Sequence, residues 1–216
     1  MKLKEQGMLA EFRRYQNPQT AKEAQIVKAA ERVFAELGYD GATTAELARR
    51  GGVTERTLFK YFPGKAHLYK RVLSGLLFAA IIPGHMADLR SRLLDLKPDF
   101  REWYAAILMA RYQAVAAEPF RLRLLWGALL FSPDFSVIFG KLWRENLYET
   151  SVKAICHFQA KGQVRADLDA SAIVRASFSL GGGFLLTQFV FAPELNLNPE
   201  VEIQTIVELF TRGVKM

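Results

Sequence analysis

The residues best suited to chemistry lie in one short run, Thr54-Glu55-Arg56-Thr57-Leu58-Phe59-Lys60-Tyr61. Arg56 offers a planar, permanently charged fork that fits a guanine edge or a phosphate. Lys60 brings a point charge and Tyr61 a hydroxyl, both suited to a sugar-phosphate backbone. Glu55 accepts only, and its natural base partner is a cytosine amino group. Leu58 and Phe62 stand four apart, so in a helix they share one face and Glu55, Arg56, Thr57, Lys60 and Tyr61 point the other way. This chemistry recognises a polyanion; it does not make or break bonds. Elsewhere in the chain no glycine-rich phosphate loop, histidine pair at metal-ligand spacing or nucleophile motif appears. His67, His85 and His157 are isolated, and the single cysteine, Cys156, excludes an internal disulfide and any cysteine-cluster metal site. Neither enzyme activity nor a cofactor is expected.

So short a helix, bounded by Gly51-Gly52 and Pro63-Gly64, needs support, because isolated helices under roughly 12 residues are marginal in water. The flanking sequence supplies it. Thr20 followed by Glu23 is a capping box that opens a first helix. Its apolar stripe is Ile26, Ala30, Val33 and Leu37, and Gly38 is its expected stop. Thr43 with Glu46 opens a second short helix carrying Leu47 and Ala48. Thr54 caps the third, and a fourth begins after Pro63-Gly64 with Leu68, Val72 and Leu76 on one face. Two short helices joined by a tight glycine turn and packed on a longer one make a helix-turn-helix. Its second helix enters the major groove.

Charge agrees with that use. Residues 1–80 hold 14 Lys/Arg against 8 Asp/Glu, whereas residues 81–216 hold 15 against 14. The excess sits almost wholly beside the candidate reading helix, as a polyanion partner requires. The charged N-terminus has no apolar leader segment, and the apolar runs fall short of the roughly 20 residues a bilayer span needs. A cytoplasmic, nucleoid-associated protein with no membrane partner is expected.

The run Phe34 to Leu73, FAELGYDGATTAELARRGGVTERTLFKYFPGKAHLYKRVL, resembles the DNA-binding domain of the TetR family of bacterial transcriptional regulators. Phe34, Gly38-Tyr39, Thr43-Thr44, Leu47-Ala48, Gly52-Val53, Thr57-Leu58, Tyr61-Phe62, Lys65 and Leu68 carry the likeness. It implies an all-helical homodimer of about nine helices that represses transcription and leaves operator DNA on binding a small ligand. It also implies that Thr43, Thr44 and Lys65 meet phosphate, that Glu55, Arg56, Thr57 and Lys60 form the recognition face, and that Tyr61 touches backbone or base. Two positions depart from the pattern. Phe59 replaces a usual tyrosine, and either packs in the core or meets a thymine methyl. Arg56 replaces a usual glycine or proline and is the favoured specificity residue.

Beyond residue 84 the periodicity predicts helices near 85–96, 99–117, 119–131, 134–161, 169–192 and 199–213. Aromatic residues crowd this half. The family resemblance implies a ligand cavity among the middle helices, for which Trp103, Ile107, Arg111, Trp126, Phe139, Trp143 and Phe178 are the candidate lining. Arg111 interrupts an apolar helix and, if buried, needs an acidic partner or an anionic ligand. The run Val174 to Phe191 is nearly all apolar with three central glycines, too apolar for a monomer's surface. Gly181, Gly182, Phe184, Leu185 and Phe189, with Val207 and Phe210 of the last helix, are therefore expected at a homodimer interface. The expected division is a flexible arm over 1–19, a DNA-binding domain over 20–66 and a ligand-binding and dimerisation domain over 67–216. The expected partners are operator DNA, a small apolar or aromatic effector and a second copy of the chain. The competing expectation is an architectural or partner-binding DNA protein that uses no small ligand.

Overall fold

Every predicted helix is present, and the computed structural model has no strand among the residues it describes. These are 19–81 and 85–214, with Gly7 and Ala10; for 78–81 and 85–87 only the backbone is described. The arm cations Lys2, Lys4, Arg13 and Arg14 lie outside the described residues. From residue 19 on, the described residues form ten helices in order: α1 Ala21–Gly41, α2 Thr44–Arg50, α3 Glu55–Tyr61, α4 Lys65–Ile81, α5 His85–Leu94, α6 Phe100–Ala117, α7 Phe120–Phe131, α8, α9 and α10. Helix α8 starts at Pro133–Trp143, passes through a π-helical turn at Arg144–Tyr148 and continues over Glu149–Ala160. Helix α9 is Ala170–Leu186 with a π-helical turn at Thr187–Phe191, and α10 is Pro199–Val214.

The chain divides into two compact units, Met1–Pro83 with Phe120–Lys141, and Gly84–Pro119 with Leu142–Met216. In the first, Ile26, Ala30, Val33 and Phe34 of α1 are buried with Leu47 and Ala48 of α2, Leu58 of α3, Phe62, and Leu68 and Val72 of α4. This is the shared core that a seven-residue α3 needs. Thr20, Thr43 and Thr54 each cap their helix, accepting from Glu23 N, Glu46 N and Thr57 N. The second capping box is only half made, because the Glu46 carboxylate turns to Arg49 and Arg50 instead of back to the chain. Helical bonding runs on to Gly41, past the expected stop, yet Gly38 takes φ +69° and bends the chain there.

Helix α7 lies along α1 in the same unit. Arg121 donates to Glu31, and Arg32 sits over the Phe120 ring at 5.5 Å. The second unit has an aromatic core, in which Phe100, Trp103 and Tyr104 of α6 meet Phe158 of α8 and Phe210 of α10. Of the three central glycines of α9, only Gly181 has a close neighbour. A Cβ there would come 2.9 Å from Leu108 Cδ2, so this glycine lets α9 approach α6. The segment Ala170–Phe191 reaches the length and mean hydropathy of a membrane span, a test that packed core helices also pass.

Candidate nucleic-acid interface

The turn between α2 and α3 depends on Gly52. It has φ +63°, and a Cβ there would meet Gln25 Nε2 at 3.1 Å. That same Nε2 donates to Gly51 O at 2.9 Å, tying the turn to α1. On the far side of α3, Glu55, Arg56 and Lys60 are exposed, while Thr57 and Tyr61 are half-buried. Phe59 is 45% exposed, which places it on the recognition face and not in the core. Among the described residues, Arg56 and Lys60 have no hydrogen bond or ion pair. Their charges are therefore available to an outside anion.

The neighbouring cations are already engaged. Arg49 and Arg50 both pair with Glu46, and Arg50 also reaches Glu36. Their hydrogen bonds hold the Glu46 carboxyl down at about 2. Glu55 is engaged too, since its Oε2 accepts from Thr44 Oγ1 at 2.6 Å. This contact joins the start of α2 to the start of α3. It uses Thr44 and Glu55, both sequence candidates for DNA contact, to set the angle between the two helices. Thr43 and Thr54 are exposed caps.

Lys65 opens α4. Its Nζ donates to Tyr39 O at 2.8 Å and stands 4.4 Å from the Tyr39 ring centroid. Tyr39 in turn packs on Phe34 and Tyr69. Lys65 thus pins the bend after Gly38 to α4, and an ammonium retains further donors for a phosphate. Sequence reasoning did not find the Gln25, Tyr39 and Thr44–Glu55 braces. The Tyr39–Tyr69 spacing of 30 residues carries no periodic signal, so only folding reveals it.

The candidate ligand residues are shared between the two units. Trp126 and Phe139 belong to the first unit, and Phe139 stacks on Phe135 there. The others belong to the second. Trp103 is buried in the aromatic core, with its Nε1 lacking an acceptor. Trp143 packs edge-on to Phe178 at 5.4 Å. Ile107 and Arg111 are half-buried farther along α6, where Tyr112 stacks on Phe184 and Phe189. Of the candidate interface residues, Gly181, Phe184, Leu185, Val207 and Phe210 are buried within the single chain, whereas Gly182 and Phe189 are half-buried. Phe178, Leu180, Val201 and Leu209 of the same two helices remain exposed.

Residues 26–72 match the family model of bacterial regulatory proteins, tetR family. No curated protein matches the chain. Among solved structures, it is similar to the ketosteroid transcriptional regulator KstR2 of Mycobacterium tuberculosis, at 17% identity and TM-score 0.67 over 93% of this chain and 98% of that one. It is also similar to the transcriptional regulator FadR from Bacillus subtilis in complex with stearoyl-CoA, at 16% identity and TM-score 0.65 over 88% and 98%. A third is NalD, the secondary repressor of the MexAB-OprM multidrug efflux pump in Pseudomonas aeruginosa, at 19% and 0.64 over 90% and 95%. These likenesses reach across the whole helical fold, and the family match falls on the helix-turn-helix built by α1 to α4. The family match thus covers the helix-turn-helix segment alone, and the likeness to these solved structures is one of fold.

Proposed function

We propose that this chain is a homodimeric repressor that binds a pseudo-palindromic operator and is released by a small apolar or aromatic effector. The observation that carries the reading is the pair of unengaged cations, Arg56 and Lys60, on an α3 that α1, α2 and α4 hold rigidly. Arg56 reads a base in the major groove, Lys60 and Lys65 hold phosphates, and Phe59 meets a thymine methyl. Thr43, Thr54 and Tyr61 add backbone contacts.

The dimer forms through α9 and α10. Phe178 and Leu180 of one helix and Val201 and Leu209 of the other leave an apolar face uncovered. A second copy covers it in a four-helix arrangement about a two-fold axis. The two α3 helices then read half-sites about 34 Å apart or a near multiple of that. Support for the repressor sense comes from the fold shared with NalD. Support for a small effector comes from the fold shared with the FadR that holds stearoyl-CoA. The effector acts by preferring one of two arrangements of α4, whose first residue, Lys65, fixes Tyr39 and the bend beside the reading head.

Selection of genomic fragments on the purified protein, followed by titration at rising salt, tests this. A palindromic consensus bound by a dimer, with affinity falling steeply as phosphate contacts release counterions, is expected. A monomer in ultracentrifugation with no fragment enriched at low salt sinks it.

A further inference from the structure

Two of the polar groups on the outer side of α3 are engaged within the protein. The Glu55 carboxylate accepts from Thr44 Oγ1 at 2.6 Å, and the Thr57 and Thr54 hydroxyls share a hydrogen bond of 3.0 Å. Tyr61 is half-buried. What α3 presents to an outside partner is therefore Arg56, Phe59 and Lys60, which lie within about one turn of each other. Phe59 is the anomaly among them. The apolar side of the helix faces inward through Leu58 and, just past its end, Phe62, both buried. Phe34, Tyr39 and Tyr69 form an aromatic cluster in the same unit. Phe59 is exposed and has no ring contact among the described residues.

A lone apolar side chain on a surface needs no explanation by itself. Phe59 differs because Arg56, one turn away, and Lys60, next in the chain, carry unengaged charges. Those charges draw in a polyanion, and the ring is then buried against whatever they bind. A phenylalanine ring offers no N–H or O–H donor and no lone pair. Pressing it on a phosphate or a polar base edge removes water from those groups and returns no hydrogen bond. The major groove of unmodified DNA holds one apolar group, the C5 methyl of thymine. Cytosine methylated at C5 carries the same methyl at the same ring position, and unmodified cytosine carries only hydrogen there. A side chain able to hydrogen-bond would tell the thymine O4 acceptor from the cytosine N4 donor. Phe59 has no means of doing so.

We propose that Phe59 reads the pyrimidine C5 methyl and nothing else of the base, so that 5-methylcytosine replaces thymine at its operator position and unmodified cytosine does not. This rests on operator binding through α3 and adds to it a regulation of that same site: methylation of an operator cytosine at C5 strengthens binding.

Fluorescence anisotropy with the full chain and its selected operator fragments tests it. Every base pair holds one pyrimidine, so each position of the half-site is probed in turn, with thymine exchanged for uracil or cytosine for 5-methylcytosine. At one position the methylated base should bind about fourfold tighter than its unmethylated partner, the worth of one buried methyl. Exchanging that pair between T·A and C·G should leave the methyl dependence in place, so that both thymine over uracil and 5-methylcytosine over cytosine show it. Phe59→Ala should bring both ratios to about one, and Phe59→Leu should keep part of them. The ring is exposed, so both variants should fold, with circular dichroism and thermal midpoint as in the parent chain. If no position responds to the methyl, the proposal is overturned. If the ratios persist in Phe59→Ala, the methyl acts through groove shape or another side chain, and the proposal is again overturned. An enriched palindrome indifferent to methylation removes this inference and leaves the repressor reading standing. Failure to enrich any fragment removes both.

Discussion

Glu31 of α1 is 8% exposed, and its Oε2 accepts from Arg121 Nη2 of α7 at 3.0 Å. A carboxylate on the helix that braces the DNA-reading head is therefore completed by a cation more than eighty residues away in sequence, and Arg32 covers Phe120 beside it. Removing one partner of such a pair leaves the other charge stranded, which costs more than the pair itself contributes. Arg121→Ala should lower unfolding stability by about 1–3 kcal/mol, discounted from a fully buried pair because Arg121 is partly in solvent. The double variant Glu31→Gln, Arg121→Met should recover most of that. Denaturant unfolding of the three proteins checks the prediction, and equal losses in the single and double variants would contradict it.

The two kinds of DNA contact should separate in binding data. Arg56→Ala should relax preference at one base position, at a cost of about 1–3 kcal/mol for the preferred sequence. Lys60→Ala should weaken all sequences alike and reduce the salt slope by about one. Fluorescence anisotropy on a small panel of operator variants at several salt concentrations distinguishes the two patterns.

Glu55 should behave as a brace for the reading helix. Thr44→Val and Glu55→Ala each break the same 2.6 Å hydrogen bond, so their effects on operator affinity should be strongly non-additive. Were Glu55 instead a base reader, its removal would change sequence preference whether or not Thr44 is intact. A double-mutant cycle on operator binding decides.

Two glycine positions should respond oppositely to alanine. Gly52→Ala forces a Cβ into the left-handed region and against Gln25, so it should destabilise by about 1–2 kcal/mol. Gly182→Ala has no neighbour within 4 Å in the chain and sits within a helix, so it should stabilise the monomer fold by about 0.5–1 kcal/mol. Thermal unfolding at low protein concentration, where a dimer contributes least, measures both.

Burial pushes the Tyr104 phenol up to about 12, the nearby Ser177 hydroxyl offsetting part of the rise. Unfolded, the group titrates near 10. The native state favours the neutral form, so the stability it confers is full below pH 10 and is lost as pH rises from 10 through 12. Tyr104→Phe should flatten that part of the stability curve. Unfolding of both proteins between pH 8 and 12 measures the difference.

The helices and the reading face of α3 were legible in the sequence because their signals are local. Thr20, Thr43 and Thr54 cap the helices that follow them, and the spacing of Leu58 and Phe62 assigns Arg56 and Lys60 to the outer face before any folding is known. The same local rules found α6 to α10 to within a residue or two at most ends, and they singled out Arg111 as an ion in an apolar run. Folding decided what depends on partners distant along the chain. It sent Glu55 to Thr44, Lys65 to Tyr39 and Glu31 to Arg121, and it made Trp126 and Phe139 part of one compact unit and Trp103, Arg111 and Trp143 part of the other. It buried Val207 and Phe210 within the chain while leaving Leu209, which falls between them in sequence, exposed. The periodicity of one helix says which residues share a face. Which neighbour covers that face is set by how all the helices pack, and one segment's sequence does not carry that information.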